Sequence, residues 1–467
     1  MAKTPPLPPK GTRDFLPRDL VRRNRVFGLL RETFARYGFE PLETPAVEHT
    51  AVLEGKYGEE GDRLLFRVLK RGQDLEAAER EVAALAEEER TPAALARSFA
   101  DMAMRYDLTV PFARVVAARL AEIALPFRRY QMQPVWRADR PQRGRYREFY
   151  QCDVDCVGST SMTVEAEMLT MIEEVFTALG FVEFTMRVNH RGLLDALMDG
   201  VDVPTERRSA ALGAMDKLDK IGADGVREEL GKLGLTDTRV DRLMEVLGLS
   251  GTPGEVAGAL RPLVGEDAGG QAALREVGEV FDALAMMGVS ADHYAFDVSL
   301  VRGLAYYTGV IAETVVTRPK IGSLAGGGRY DRLIGQFLGR ELPCVGFSFG
   351  VERMLDAMAE LDLLAGEATT TTQALVTLFA RETVGASFAL AGELRRAGVR
   401  TEVYTDVKEL RPQLAFANKK GIPLVVILGT DEAARGEVTL RDLRAGEQRS
   451  VRRDEVVVVA QAMLGES

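Results

Sequence analysis

Seven arginines crowded into one alternating segment leave a chain few ways to fold, because like charges must be kept wet or matched by anions while the alternation calls for paired strands. In Phe127–Asp155 (FRRYQMQPVWRADRPQRGRYREFYQCDVD) arginines stand at 128, 129, 137, 140, 143, 145 and 147, against two acids up to Glu148, Asp139 and Glu148 itself. The part up to Glu148 is net +5 inside a chain of net charge −10. Tyr130, Met132, Pro134 and Trp136 mark one arm and Tyr146, Phe149, Gln151 and Val154 the other, while Arg140-Pro-Gln-Arg-Gly144 supplies turn chemistry between them. The pattern predicts two strands around a long arginine-rich tip and an anionic partner for it. A lone basic run is more often a solvated face than a site, so its meaning depends on what else converges there.

With 467 residues, 46% hydrophobic and 28% charged, the chain has ordinary globular composition and length for two to four domains. No N-terminal apolar run follows positive charge, and no stretch approaches the ~18 continuous apolar residues of a membrane helix. Export and membrane insertion are not expected; a cytoplasmic location is. Cysteines 152, 156 and 344 show no paired CxxC spacing and histidines 49, 190 and 293 are scattered, so a structural zinc is not expected. The acidic total argues against a diffuse nucleic-acid footprint and leaves a local one open.

Along the chain, Leu20, Phe27, Leu30 and Phe34 predict a helix from about Asp19 to Tyr37-Gly38, and Pro41 and Pro45 confine Phe39–Pro45 to an edge or interface strand. Gly55–Asp62 is expected as an exposed loop, Leu64–Leu69 as a strand, and the acidic Gln73–Glu89 as a solvated surface helix. Asp107 and Thr109 precede Pro111, where they can cap a helix, touch a ligand, or both. A helix over Val164–Leu179 and a strand over Phe181–Val188 follow, then helical blocks such as Ser209–Lys220 and Val240–Leu247. Strand character resumes at Tyr294–Gly309, with Val310–Thr317 as its expected hairpin partner. The glycines of Ser323–Asp331 allow either a bulge or close backbone approach to a ligand, and Val345–Leu355 joins a glycine-rich strand to a helix carrying Arg353 in its first turns. Beyond the threonines of Ala365–Thr372, apolar runs at Ala374–Phe379, Val399–Tyr404 and Pro423–Leu428 alternate with helical Val384–Ala397 and Pro412–Lys420, a βαβαβ pattern. Neither G-x-x-x-x-G-K-[ST] nor a strand-linked G-x-G-x-x-G occurs.

Together these pieces resemble the class II aminoacyl-tRNA synthetases. Gly38–Pro45 with its preceding helix is similar to class motif 1, Phe127–Asp155 to motif 2 and Val345–Arg353 to motif 3. Leu300-Val-Arg-Gly-Leu-Ala-Tyr-Tyr-Thr-Gly309 and Leu324-Ala-Gly-Gly-Gly-Arg-Tyr-Asp331 resemble the two signature peptides of the histidyl-tRNA synthetase family, and Gly11–Pro17 and Leu414–Val426 also match it.

The resemblance implies an α+β fold: a class II antiparallel sheet flanked by helices, with a catalytic core at 1–191 and 292–364, a helical insertion at 192–291, a linker at 365–372 and an α/β anticodon-binding domain at 373–467. It implies ATP-dependent ligation of L-histidine to its cognate tRNA through a histidyl-adenylate, in a homodimer, with Mg²⁺ carried by ATP and no protein-bound metal. Arg137 and Arg302 are the implied catalytic residues. Arg137, Asp139, Arg145, Phe149 and Arg353 are implied for ATP, Phe149 and Asp139 facing adenine. Asp107, Thr109, Arg137, Gln151, Asp155, Arg302, Tyr306, Tyr307 and Tyr330 are implied for histidine, with Asp155 and the tyrosines around the imidazole and Asp107, Thr109 and Gln151 around the α-amino group.

The signature usually reads Arg-Gly-Leu-Asp-Tyr-Tyr, and Ala305 stands here at the aspartate. Asp107 and Asp155 replace the glutamates of many bacterial members and follow the eukaryotic-type branch. Two other readings fit parts of the chain: a non-catalytic synthetase-like regulatory subunit of ATP phosphoribosyltransferase, and a tRNA-sensing module of a larger regulator. The C-terminal domain and Arg302 disfavour the first, and the lack of an appended kinase disfavours the second.

Overall fold

The computed structural model describes residues 6–142, 144–301 and 306–465, and only the backbone of residues 58–60. The chain divides into two compact units, residues up to 13 with 28–363, and residues 14–27 with 364–467. In the first unit the strands are β1 (Glu40–Pro41), β2 (Val47–His49), β3 (Arg67–Val68), β4 (Met102–Met104), β5 (Phe127–Trp136), β6 (Glu148–Val157), β7 (Phe184–His190), β8 (Tyr294–Phe296), β9 (Val310–Val316), β10 (Ala325–Arg329) and β11 (Cys344–Phe349). Eight form one sheet in the order β1-β5-β6-β11-β10-β9-β7-β8, and β2, β4 and β3 form a small second one. The inner pairs of the large sheet are antiparallel; only the edge pairs β1–β5 and β7–β8 run parallel.

Period-two alternation gives the large sheet two unlike faces. On one, Cys152, Val154 and Cys156 of β6 lie opposite Phe349, Phe347 and Val345 of β11, all buried. Phe34 of the Pro17–Arg36 helix covers this face, its ring 5.3 Å from that of Tyr130 and 5.7 Å from that of Phe349. On the other face Arg129, Gln131 and Gln133 of β5 stand opposite Asp155, Asp153 and Gln151 of β6. Beyond them come Gly346 and Ser348 of β11, then Gly328 and Gly326 of β10. Small and polar side chains thus leave an open floor across four strands. Two of the glycines are needed where they stand: a Cβ on Gly346 would collide with the Asp155 carboxylate, and one on Gly327 with the Gly346 carbonyl oxygen.

Between β7 and β8 the chain forms the helices Arg191–Gly200, Thr205–Met215, Leu218–Lys232, Asp237–Leu247, Pro253–Val264 and Ala268–Met286. Leu194, Met198, Leu212, Val226, Leu230 and Leu243 bury a core of their own there. The second unit has a mixed sheet of β12 (Ala374–Val376), β13 (Thr401–Val403), β14 (Leu424–Ile427), β15 (Glu437–Asp442) and β16 (Gln448–Arg452), ordered β13-β12-β14-β15-β16. Its first three strands are parallel, linked through the helices Val384–Arg396 and Leu410–Lys420, and central β14 is buried at every residue, as a covered strand requires. Among the described residues no helix is long and apolar enough to cross a membrane.

Several local expectations need correction. Val310–Thr317 is not the hairpin partner of Tyr294–Gly309: β8 pairs parallel with one edge of β7, while β9 takes the other edge antiparallel. The Gly55–Asp62 loop contains a short helix, Gly58–Arg63, closed by the Asp62 carboxylate, which accepts from the Gly55 amide at 2.9 Å. Leu64–Leu69 pairs only at Arg67–Val68, because its partner β4 is three residues long and is shared with β2. Ser209–Lys220 spans two helices, interrupted after Met215.

The Gly327 and Gly258 positions give opposite expectations for one added methyl. Gly258 is exposed within a helix and its Cβ would meet nothing, so Gly258→Ala should stabilise by about 0.5–1 kcal/mol. Gly327→Ala must push β10 from β11 and should cost about 3 kcal/mol or more. Urea unfolding of the two variants measures both.

Candidate active site

Two adjoining cavities open on the polar floor of the large sheet. The inner one, about 80 Å³, is lined by Asp107, Thr109, Arg137, Gln151, Asp155, Tyr306, Tyr307 and Tyr330, together with Asp153 and Ser348. The outer one, about 580 Å³, is lined by Arg137, Asp139, Arg145, Phe149 and Arg353, with Glu313 and Glu352. Arg137, Gln151, Tyr307 and Ser348 belong to both walls. Every described residue expected at the amino acid therefore lines the inner cavity, and every residue expected at ATP lines the outer one. Arg302 and Ala305 lie outside the described residues.

Buried charge dominates the inner cavity. Asp107 holds the first turn of the Thr109–Arg119 helix, its Oδ1 accepting from the Val110 amide at 3.1 Å and from the Tyr57 hydroxyl at 2.9 Å. Capping and pocket lining are thus one act, and Oδ2 has no hydrogen-bond partner among the described residues. Asp155 Oδ1 accepts from the Tyr330 hydroxyl, and its Oδ2 lies 2.7 Å from Arg129 Nη2, an ion pair rather than an aligned hydrogen bond. Arg129 is fully buried, its guanidinium 4.1 Å over the Phe112 ring. Burial raises the carboxyl pKa of Asp107 and Asp155, the arginines opposing it, and pushes Asp153 up to about 7. Burial likewise raises Tyr306, Tyr307 and Tyr330, which keeps their hydroxyls protonated as donors. The Tyr306 ring centroid lies 4.9 Å from that of Tyr307 and 5.7 Å from that of Tyr330.

The outer cavity gathers cations around an aromatic surface. Arg137 Nε donates to the Tyr106 carbonyl at 3.0 Å, and its guanidinium lies 4.3 Å over the Tyr106 ring and 5.1 Å over that of Phe149. Arg353, on the Val351–Glu360 helix, donates to the Gly144 and Ser323 carbonyls, each at 3.0 Å, tying that helix to the hairpin tip. Arg145 stands 3.6 Å from Asp139. The N-terminal segment clasps the same hairpin: Gly11 O accepts from the Arg147 amide at 2.8 Å, and Arg13 stacks on Tyr146 at 3.4 Å.

Sequence reasoning missed Arg129, Asp153, Tyr57, Ser348 and Arg13. For Asp153 the signal was present: Phe149, Gln151 and Asp155 were singled out, and period two puts Asp153 on their face of β6. Arg129 was legible the same way once the hairpin register was known. Tyr57 and Ser348 belong to segments remote in sequence and gave no local sign.

Acceptors and phenolic donors inside, with guanidinium groups beside an aromatic ring outside, suit a small zwitterion next to a nucleoside polyphosphate. The family model described as Histidyl-tRNA synthetase matches residues 95–354, and that of the Anticodon binding domain residues 373–463. A histidine–tRNA ligase of Cytophaga hutchinsonii is 40% identical over 96% of this chain and 98% of that protein. One from Gloeobacter violaceus is 42% identical over 94% and 95%. Among solved structures, the histidyl-tRNA synthetase of a Nostoc species matches with TM-score 0.84 at 28% identity over 100% of both chains. A Bacillus halodurans protein described as ATP phosphoribosyltransferase regulatory subunit/histidyl-tRNA synthetase matches with TM-score 0.70 at 24% identity over 89% of this chain and 97% of its own, a likeness of fold alone.

Removing Arg129 alone strands a buried carboxylate. Arg129→Met should lower the unfolding free energy by about 3–5 kcal/mol, and the double variant Arg129→Met/Asp155→Leu should recover most of that loss. Urea melts of both variants give the comparison.

Proposed function

This chain belongs to the histidyl-tRNA synthetase family of class II aminoacyl-tRNA synthetases, and from that premise we propose that the inner cavity holds histidine and the outer one ATP. The reaction itself is that of its family: L-histidine is joined to tRNA using ATP, through a histidyl-adenylate, with release of AMP and pyrophosphate. The observation that carries the division of the site is the position of Arg137 in both walls, where an amino-acid carboxylate and an α-phosphate would meet.

In this reading the α-ammonium of histidine meets Asp107 Oδ2, Thr109 and Gln151, and its imidazole lies among Tyr306, Tyr307, Tyr330 and Asp155. A ring read at both its donor and acceptor excludes side chains that leave those buried groups unpaired. Adenine stacks on Phe149 near Asp139, and Arg145 and Arg353 hold the distal phosphates. A histidine carboxylate oxygen attacks the α-phosphorus in line, the bond to the bridging oxygen breaks, and pyrophosphate departs with its electron pair. Arg137 and, by resemblance, Arg302 stabilise charge on the α-phosphate oxygens. No side chain becomes covalently bonded; positioning and electrostatics lower the barrier. The tRNA terminal ribose hydroxyl then attacks the adenylate carbonyl and releases AMP.

Aminoacyl-tRNA synthetases use ATP with Mg²⁺ in general. Glu313 and Glu352 line the outer cavity, so two carboxylates are present for a Mg²⁺ carried on phosphate oxygens, where it would neutralise phosphate charge. We assign residues 192–291 to the tRNA acceptor arm, 373–467 to the anticodon, 1–191 and 292–364 to the catalytic core and 365–372 to the linker, in a cytoplasmic homodimer. The regulatory-subunit alternative is less supported: the ligase relatives align over nearly the full length, and an anticodon-binding domain matches at 373–463.

ATP–pyrophosphate exchange with each amino acid in turn should be active with histidine and with no other. Absence of histidine-dependent exchange in the folded protein would overturn the reading. Arg302→Ala should keep histidine binding, measured by calorimetry, and lose exchange by at least about 100-fold. Unchanged turnover would remove the role given to Arg302.

A further inference from the structure

We propose that Asp153 is a specificity-determining residue of the histidine pocket, its Oδ1 accepting a hydrogen bond from a ring N–H of the bound imidazole. The inference rests on the inner cavity being the histidine site. The resemblance assigns the imidazole's carboxylate partner to Asp155, but in this chain each oxygen of that carboxylate already faces a protein group, Tyr330 on one side and Arg129 on the other. Its Oδ1 takes the Tyr330 hydroxyl, its Oδ2 faces Arg129 at 2.7 Å, and it lies so close over Gly346 that a Cβ there would collide with it. Asp155 thereby fixes Tyr330 within the wall of the inner cavity.

Asp153 is placed differently. It stands two residues earlier on the same face of β6, opposite Gln131 of β5 and Ser348 of β11, and it lines the inner cavity while being only 3% exposed. Its carboxylate accepts the Ser348 hydroxyl, and Oδ1 has no hydrogen-bond partner among the described residues. Buried acceptors without partners are rare and mark where a ligand or water must donate. Among the described residues the others in this cavity are Asp107 Oδ2 and Gln151 Oε1, both already allotted to the α-ammonium group, and Asp155 Oδ2, which is ion-paired with Arg129. A neutral imidazole brings one further donor, its ring N–H, and Asp153 Oδ1 is the acceptor left for it. The tyrosine hydroxyls then serve the opposite ring nitrogen.

The charged groups facing Asp153 are Arg129 from β5, Asp155 from β6 and Asp107 from the segment before the Thr109–Arg119 helix. Burial and the two carboxylates outweigh Arg129 and push Asp153 up to about 7. A folded pKa above the unfolded value of about 3.9 contributes stability below that value and loses it as pH rises through about 7. Deleting the carboxylate therefore relieves the folded protein at pH 8, and variants at this site should fold.

The test is a cycle between side chain and ligand in the full-length protein. ATP–pyrophosphate exchange is measured at pH 8 with histidine and with 2-thiazolylalanine, whose ring has an acceptor nitrogen and no N–H, on the parent, Asp153→Ala, Asp153→Asn and Asp155→Ala. Asp153→Ala should raise the histidine KM at least about tenfold, leave the ATP KM within about threefold, and remove most of the preference for histidine over the analogue. Asp153→Asn keeps an acceptor oxygen and should retain most of that preference. Asp153→Val, suited to a strand and lacking an acceptor, repeats the measurement independently of how well the alanine variant packs. A preference that survives in both Asp153→Ala and Asp153→Val and collapses in Asp155→Ala would overturn the proposal and return the contact to Asp155. Lack of exchange with histidine in the parent would instead sink the reading of the cavity.

Discussion

Arg129 is the charge on which the pocket depends. Three carboxylates, Asp107, Asp153 and Asp155, are buried within one small cavity, where neither water nor salt can screen them. Left alone they would take up protons and lose the geometry of charged acceptors. Arg129 lies beneath them, in contact with Asp155, donating to Gln131 at 3.2 Å and stacked on Phe112, so its position is set by packing as well as by attraction. A buried ion pair of this kind adds little net stability over an apolar pair. In the proposed reading its value lies in holding acceptors ready, so that a cationic ammonium group would need little reorganisation.

The sheet order explains how remote sequence segments reach one site. Strand β11 lies between β6 and β10, which brings Ser348 beside Asp153 and the glycines of β10 beside those two strands. Any side chain larger than glycine at 346 would occupy the space of the Asp155 carboxylate. The polar floor therefore exists because glycines and aspartates alternate in register, and a slip of one residue would turn Val154 and Phe347 into the cavity.

Much of this was legible in the chain. Alternation and turn residues gave the β5–β6 hairpin, its charge excess called for an anionic partner, and the motifs named many of the described residues that line the two cavities. What was not legible is instructive. The parallel β7–β8 edge has no local signature, since pairing of strands about a hundred residues apart depends on the helices between them; proximity in sequence instead favoured a hairpin. The Gly58–Arg63 turn is polar throughout and carries no apolar period to announce it. Asp153 is not among the residues that the family pattern marks, and only the face it shares with Gln151 and Asp155 along β6 points to it.

That face sets the spacing of the site. Phe149, Gln151, Asp153 and Asp155 follow one another at every second residue along β6, about 6–7 Å apart, so the strand alone spans about 20 Å from the outer cavity to the inner one. Arg137, just past the end of the paired strand, stands at the boundary of the two cavities, and Gln151 marks the same boundary on the returning arm. The distance between the two cavities along this strand is then set by backbone geometry. An arginine-rich hairpin in an acidic protein is consistent on this view: its cations gather toward the tip, and Asp153 and Asp155 lie deeper on the returning strand, where Arg129 stands directly across from Asp155.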